Sequence, residues 1–281
     1  KGDLIFQAIK QQQTTVVSKQ MPTAILDAQT GISALDEALN TLKTTGYMHN
    51  HMRMYVASIV CNIAKTDWKV GADWMYSQLL DGDLASNHLS WQWVAGTNSN
   101  KKYYANQNNI NTYFGTNDRG TFLDKTYEEL PEMEIPDVLQ ARREYSIQTD
   151  LNAIKSDEIH TYTNSLIHTY YNIDLEVIKT TTAQHILLLE PKLFRAHPVT
   201  NNCLEFVINL AKNIQGIKIF VGEFDNLLTL LGEENIIYKE HPTNQHFKGK
   251  KMERDWMTTV KGDFPSFFKF WNKAKKELQY D

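Results

Sequence analysis

The residues that most restrict this chain lie between Gly46 and Thr97. There, a stretch with the periodicity of buried helix also carries Asn50, Arg53, Asp81, Asp83, Asn87 and the tryptophans Trp68, Trp91 and Trp93. Met52, Tyr55, Val56, Ile59, Val60 and Ile63 recur at three- and four-residue spacing, which predicts a helix with one continuous apolar stripe. Asn50, Arg53, Met54, Ala57 and Cys61 share the other side, and small or apolar residues there predict that it is covered as well. Arg53 is therefore expected to be half-buried. A buried guanidinium needs a partner, because leaving its charge uncompensated costs about 3–5 kcal/mol. Asp81 or Asp83 is the expected mate. With Asn87 they present carboxylates and an amide in a pocket expected to be walled by Trp91 and Trp93, a set suited to a planar heterocycle with ring N–H and C=O edges. Three plainer uses compete. A calcium loop at Asp81-Gly82-Asp83 lacks the further acids and the closing Glu that such a loop needs. An ion pair with no ligand and tryptophans that only pack the core stay open on spacing alone.

Several spaced strings in this stretch occur in order: G-Y-M-H-N-H-M-R-M from Gly46, D-W at Asp67, L-L-D-G-D-L-A-S-N from Leu79 and W-Q-W-V-A-G-T from Trp91. Together they resemble the flavin-binding helical domain of DNA photolyases and cryptochromes, over roughly residues 20–125. The resemblance implies FAD as cofactor, with Asn50, Arg53, Asp81, Asp83 and Asn87 lining its isoalloxazine and Asn87 facing the flavin N5. It makes Trp91 the tryptophan nearest the flavin in the photoreduction chain and Trp68 the middle one. Asn50, Met54 and Trp93 match positions that touch a cyclobutane pyrimidine dimer. Enzymes of the family that repair (6-4) photoproducts carry His at the positions of Asn50 and Met54, so the dimer is the implied lesion.

The chain also departs from the family. His51 stands where an Arg is usual, and a second basic position is missing from the segment K-K-Y-Y-A-N-Q-N-N-I-N. Both are DNA-backbone contacts, and losing phosphate partners weakens binding. Contact with damaged DNA is thus expected to be weakened. No Trp precedes Trp68, so the outermost member of the usual chain is absent from this stretch. Two flavin elements usual in the family, a Thr/Ser-rich phosphate loop and a Trp-Arg-acid-aromatic helix, are not found either. The chain therefore reads as the C-terminal portion of a longer protein whose upstream part completes the flavin site.

Bulk properties set outer limits. The 281 residues are 42% hydrophobic and 22% charged, as in globular chains of about two domains, and the net charge of -4 gives no general attraction to nucleic acid or anionic lipid. Two cysteines, Cys61 and Cys203, make no disulfide framework. No apolar run reaches the roughly 18–20 residues that span a bilayer, so the expected setting is cytoplasmic, without a membrane partner.

The remainder is read from local pattern. Residues 1–45 predict two helices, one beginning at Leu4, Ile5 and Ile9 and one over 24–42; a further helix is expected over 72–80. The Asn-rich segment 98–121 predicts surface loops, whose Tyr103, Tyr104, Tyr113 and Phe114 either pack on themselves or, with Lys101, Lys102 and Arg119, stack nucleotides. The acidic, Pro-bounded run 128–136 predicts a linker, and Ile154, Ile159, Tyr162, Leu166 and Ile167 suggest a helix. From 186 onward, apolar runs at 186–190, 217–222 and 236–240 alternate with helical patterns, which predicts a small parallel α/β layer. Glu190, His197, Glu240, His241 and His246 lie after strand ends, but their spacing matches no metal motif, and no metal is expected. The aromatic tail 264–271 is expected to pack rather than anchor in a membrane.

The expected fold is thus α + α/β: an all-helical, partial FAD-binding photolyase-like domain (1–127), a linker and helix (128–183), and a small parallel α/β domain (184–281). The expected function is light-dependent electron transfer from reduced FAD to a pyrimidine dimer. A cryptochrome-like blue-light receptor and a non-catalytic helical interaction module are the alternatives.

Overall fold

The computed structural model describes residues 2–161, 163–174, 182–262 and 264–278. These fall into two compact units, a helical one formed by Asp3–Leu151 with Lys192–Asn209, and a sheet unit formed by Lys1–Gly2, Asn152–Pro191 and Leu210–Asp281.

The helical unit runs through α1 (Thr23–Asp27), α2 (Ser33–Thr45), α3 (Asn50–Ser58), a π-helical turn (Ile59–Ile63), α4 (Trp68–Tyr76), α5 (Leu84–Ala95) and α6 (Gln107–Phe114). Its helix starts are chemically marked, since Asp67, Asp83 and Asn106 accept from backbone N–H groups in the first turns of α4, α5 and α6. Met52, Tyr55, Val56, Ile59, Val60 and Ile63 are all buried in one core with Leu35, Leu39, Trp74 and Trp91, as the stripe predicts.

Local chemistry overrides the expected pattern in several places. Gly2–Phe6 is a single 3-10 turn rather than the start of a helix. Downstream, the amides of Gln11 and Gln13 donate to Gly96 O at 2.6 Å and Thr66 O at 2.8 Å, committing that polar run to chain ends elsewhere. The helix expected over 24–42 is broken because Ala28 takes a left-handed conformation and the Asp36 carboxylate accepts from Thr30 and Gly31 N–H groups, which winds the intervening turn. The helix expected over 72–80 lies earlier, at Trp68–Tyr76, where Asp67 caps it. The segment 98–121 is not all loop, since Asn106 caps α6 within it. The acidic run 128–136 does not act as a free linker. Leu130 and Leu139 are buried in the helical core, and β2 (Arg142–Arg143) pairs antiparallel with β1 (Met21–Pro22).

In the sheet unit five strands are all parallel, in the order β5-β4-β3-β6-β7, with β3 (Ser165–His168), β4 (Gln184–Leu189), β5 (Lys218–Val221), β6 (Ile236–Lys239) and β7 (Lys250–Met252). The three expected strands are present, with β3 inserted between β4 and β6 and β7 added at the β6 edge. The expected helix around Leu166 and Ile167 is instead the central strand β3, buried along its whole length; Tyr162 lies outside the described residues. A four-residue strand buried on both faces, with only Leu166 and Ile167 apolar, has no periodicity by which to tell strand from helix, which explains the error. Helices α7 (Pro191–Ala196) and α8 (Asn201–Ala211) separate β4 from β5 in the chain, α9 (Phe224–Leu231) precedes β6 and α10 (Phe267–Ala274) ends it. Phe224, Leu227 and Leu231 of α9 share a core with Ile167, Ile186, Leu188 and Ile236. The tail packs only in part: Ala274 is buried, whereas Phe267 and Phe268 remain 66% and 72% exposed.

Candidate flavin site

Three helices build the site, and each begins at a cap that fixes where its polar residues point. His49 Nδ1 accepts from the His51 backbone at the start of α3, so Asn50 opens that helix at the surface and Arg53 follows one turn on. Arg53 Nε donates to Met48 O at 2.8 Å, and its Nη2 donates to both Asp81 oxygens at 3.0 and 2.9 Å. Asp81 is thus the mate, with side-chain exposures of 22% for Arg53 and 63% for Asp81. Asp83 caps α5, accepting from Ser86 N at 2.7 Å. Asn87 is buried one turn further and its Nδ2 donates to Ala72 O of α4 at 2.8 Å. That bond fixes the amide orientation and leaves Oδ1 as an acceptor with no protein donor among the described residues.

The three tryptophans have different surroundings. Trp91 is buried, its ring lying so close to α4 that a Cβ on Gly71 would sit 2.1 Å from it. Only glycine permits this approach. Trp68 is also buried and stands one helical turn before Gly71, on the same face of α4. Trp93, two positions after Trp91, points elsewhere on α5; it is 46% exposed and tilts against Tyr103 with ring centroids 5.6 Å apart. Trp91 and Trp93 therefore do not share one wall. Met54 packs partly buried against the helical core.

On the same unit, His49 stacks on His51 at 5.6 Å, and His51 lies 4.6 Å from Tyr113, which is 57% exposed. Tyr103, Tyr104 and Phe114 pack against the core, so most of the expected aromatic stacking surface is structural. Burial pushes the Tyr103 and Tyr104 phenols above their usual range and lowers the Lys102 ammonium.

Of the strand-end residues, His246 Nε2 contacts Glu190 Oε1 at 2.9 Å, Glu240 pairs with Lys251 at 3.5 Å, and His241 stacks on Tyr171. His197 stacks on Phe6 within the helical unit. Among the described residues no group of three or more His, Cys, Asp or Glu could hold a metal ion. Likewise none of their helices is long and apolar enough to cross a membrane.

Sequence reasoning passed over Gly71, Ala72, Asp73 and His88, which set α4 against α5. A glycine inside a helix beside a tryptophan-rich one was the available signal for the first.

The polar groups left over fit one side of a flavin. Asn87 offers an oriented acceptor, Arg53 is held by its pairing, and Trp91 Nε1 is buried without a partner. The family described as the FAD binding domain of DNA photolyase matches residues 5–172. The deoxyribodipyrimidine photo-lyase of Salmonella typhimurium is 42% identical over 76 residues, which is 27% of this chain and 16% of that protein. That of Escherichia coli is 41% identical over 78 residues, 28% of this chain and 16% of the relative. The matches thus span about a sixth of these relatives' length. Among solved structures, a cryptochrome of Synechocystis sp. PCC6803 is 32% identical, covering 33% of this chain and 20% of that one, with a TM-score of 0.32. A photolyase from Sulfolobus tokodaii with two FAD molecules is 29% identical over 33% of this chain and 22% of that one, with a TM-score of 0.31. With more than half its length matched, the chain belongs to the family of the FAD-binding domain of DNA photolyase, and its cofactor is FAD.

Proposed function

We propose that this chain supplies one wall of the flavin site in a light-dependent DNA repair protein acting on pyrimidine dimers. The observations that carry the reading are the oriented Asn87 amide and the Arg53–Asp81 pair. In this reading Arg53, Asp81, Asp83, Asn87 and Asn50 hold the isoalloxazine, with Asn87 Oδ1 accepting from a ring N–H. When bound, reduced FAD excited by blue light supplies an electron to the lesion. Asn50, Met54 and Trp93 contact the lesion; the exposure of Asn50 and Trp93 supports this, since a lesion can reach them. Trp91 and Trp68 carry electrons for flavin reduction, supported by their burial and by the Gly71 approach that seats the Trp91 ring on α4, the helix that begins with Trp68. An upstream part of the same protein completes the site.

A receptor without repair activity is the second reading. His51 favours it, because it stands at a position where the resemblance implies an Arg on the DNA backbone, and an imidazole is a weaker phosphate partner near neutral pH.

An absorption spectrum of the full-length protein before and after blue light with a reductant tests both. Flavin bands that bleach are expected, and their absence removes both readings. Light-dependent loss of dimers from DNA then separates repair from reception. Asn50→Ala is expected to cut repair far more than flavin content, and an equal loss of both would refute its contact with the lesion.

A further inference from the structure

The helix interface behind Asn87 holds a buried charged network that the flavin reading does not use. His88 is fully buried. Its Nδ1 lies 2.8 Å from Leu84 O and its Nε2 2.9 Å from Asp73 Oδ1, while Asp73 Oδ2 accepts from Lys69 Nζ at 2.5 Å. A carbonyl oxygen only accepts. So does an ionised carboxylate, and the bonds from His88 and Lys69 hold the Asp73 carboxyl below its usual range against the opposing effect of burial. Both His88 nitrogens therefore face acceptors, and only an imidazolium, with hydrogen on both, satisfies the two together.

The position of this ring is informative. Asn87 and His88 are consecutive on α5 and bond Ala72 and Asp73, which are consecutive on α4. Trp91, one turn after Asn87, rests on Gly71. Three neighbouring residues of α4 thus receive three of α5, and a slip along the helices breaks all three contacts together. The remaining surroundings of His88 are aromatic: Phe6 at 5.0 Å, Tyr76 at 6.3 Å and Trp68 edge-on at 6.3 Å and 89°. His197, stacked on Phe6, is a nearby titratable group, and burial favours its neutral form.

We propose that His88 is a positioning residue for the flavin site, an imidazolium clamp that fixes α5 on α4 so that Asn87 presents its acceptor and Trp91 stays seated on α4. The proposal rests on the flavin reading of Asn87 and Trp91. Its charge is specific to the task, because a neutral side chain can satisfy at most one of the two acceptors with a charge-assisted bond. Asp73→Asn removes the charged acceptor from a half-exposed position and leaves His88 in place.

The test uses the full-length protein, whose flavin binding is first measured in the parent. Nitrogen-15 NMR of the parent at neutral pH is expected to show two ring N–H groups on His88, and a ring with one overturns the clamp. His88→Gln and Asp73→Asn are expected to weaken FAD binding about tenfold or more, the scale of a lost hydrogen bond to a charged group. They should also raise Trp68 emission, read by difference from Trp68→Phe, because an imidazolium quenches an adjacent excited indole. A merely structural role would not produce the NMR signature. If the parent binds FAD and both variants bind it equally well, the proposal fails alone. A parent that binds no FAD overturns the flavin reading and the positioning role with it, whatever the NMR shows of the ring.

Discussion

The two units are stabilised by different means. In the helical unit, polar side chains span long sequence distances to tie one helix or loop to another: Gln13 to Thr66 and Trp68, Asn62 to Val94 and Tyr103, Asn87 to Ala72, His88 to Asp73. The central strands of the sheet unit rely on a parallel ladder and on apolar runs such as Ile186–Leu189, with a buried histidine pair among the polar contacts between them. That pair is His168 Nε2 with His185 Nδ1, 3.2 Å apart on neighbouring strands. The difference teaches where chemistry resides. A ladder satisfies its own backbone and leaves side chains free to be apolar, whereas irregular helix packing leaves polar ends that must be matched individually.

Acid should separate the units most widely. Burial and the neighbouring His185 lower the His168 pKa from 6.5 to about 4, and burial lowers His185 too. Because the folded-state value lies below the unfolded one, the neutral pair's contribution is complete above pH 6.5. It falls as the pH drops from 6.5 toward 4, since the unfolded chain takes up a proton that the folded unit refuses, and it levels off below about 4. The full loss is about 3 kcal/mol at 1.4 kcal/mol per pKa unit. Asp73 in the helical unit acts in the same direction, because its folded carboxyl is also held below its ordinary value, but it matters only lower, as the pH falls below 3.8. Urea unfolding followed residue by residue by NMR at pH 7 and pH 5 is expected to show the sheet unit weakened more than the helical unit, where burial also lowers His197. Equal weakening of both would break the comparison.

Gly71→Ala should act on the helical unit instead. The new Cβ would meet the Trp91 ring at 2.1 Å, and overpacking of this kind costs about 2 kcal/mol. The same NMR titration would locate the loss, and a variant as stable as the parent would mean that Trp91 has room to move.

The legibility of the two units differed for related reasons. In the helical unit the apolar stripe from Met52 to Ile63 and an acidic mate for Arg53 at Asp81 or Asp83 could be read in advance, because helical spacing and the cost of an unpaired guanidinium both constrain them. The break at Ala28 and the cap at Asn106 could not, because each depends on one side chain competing with the helix for backbone groups. In the sheet unit β4, β5 and β6 were read from apolar runs set between helical patterns. Strand β3 was missed since Ser165–His168 is short and buried on both faces, and it acquires its identity only from pairing with β4 and β6. Of the candidate site, the residues proposed to face the flavin were named from a resemblance. The α4 residues that orient them were not, because a backbone carbonyl such as Ala72 O carries no mark in a sequence.

Asp81→Asn is the smallest of these effects and the sharpest probe of the comparison. Counted as a structural ion pair, Arg53–Asp81 contributes about 1 kcal/mol or less, because Asp81 is 63% exposed and water screens the attraction. The variant should therefore unfold at nearly the same urea concentration as the parent. In a flavin site the same substitution removes the charge that holds Arg53 against the ring, so FAD affinity should fall while stability does not. A loss of stability well above 1 kcal/mol with FAD affinity unchanged would make the pair part of the fold and remove it from the site. The expected result identifies it as a polar contact of the helical unit that the fold itself does not need.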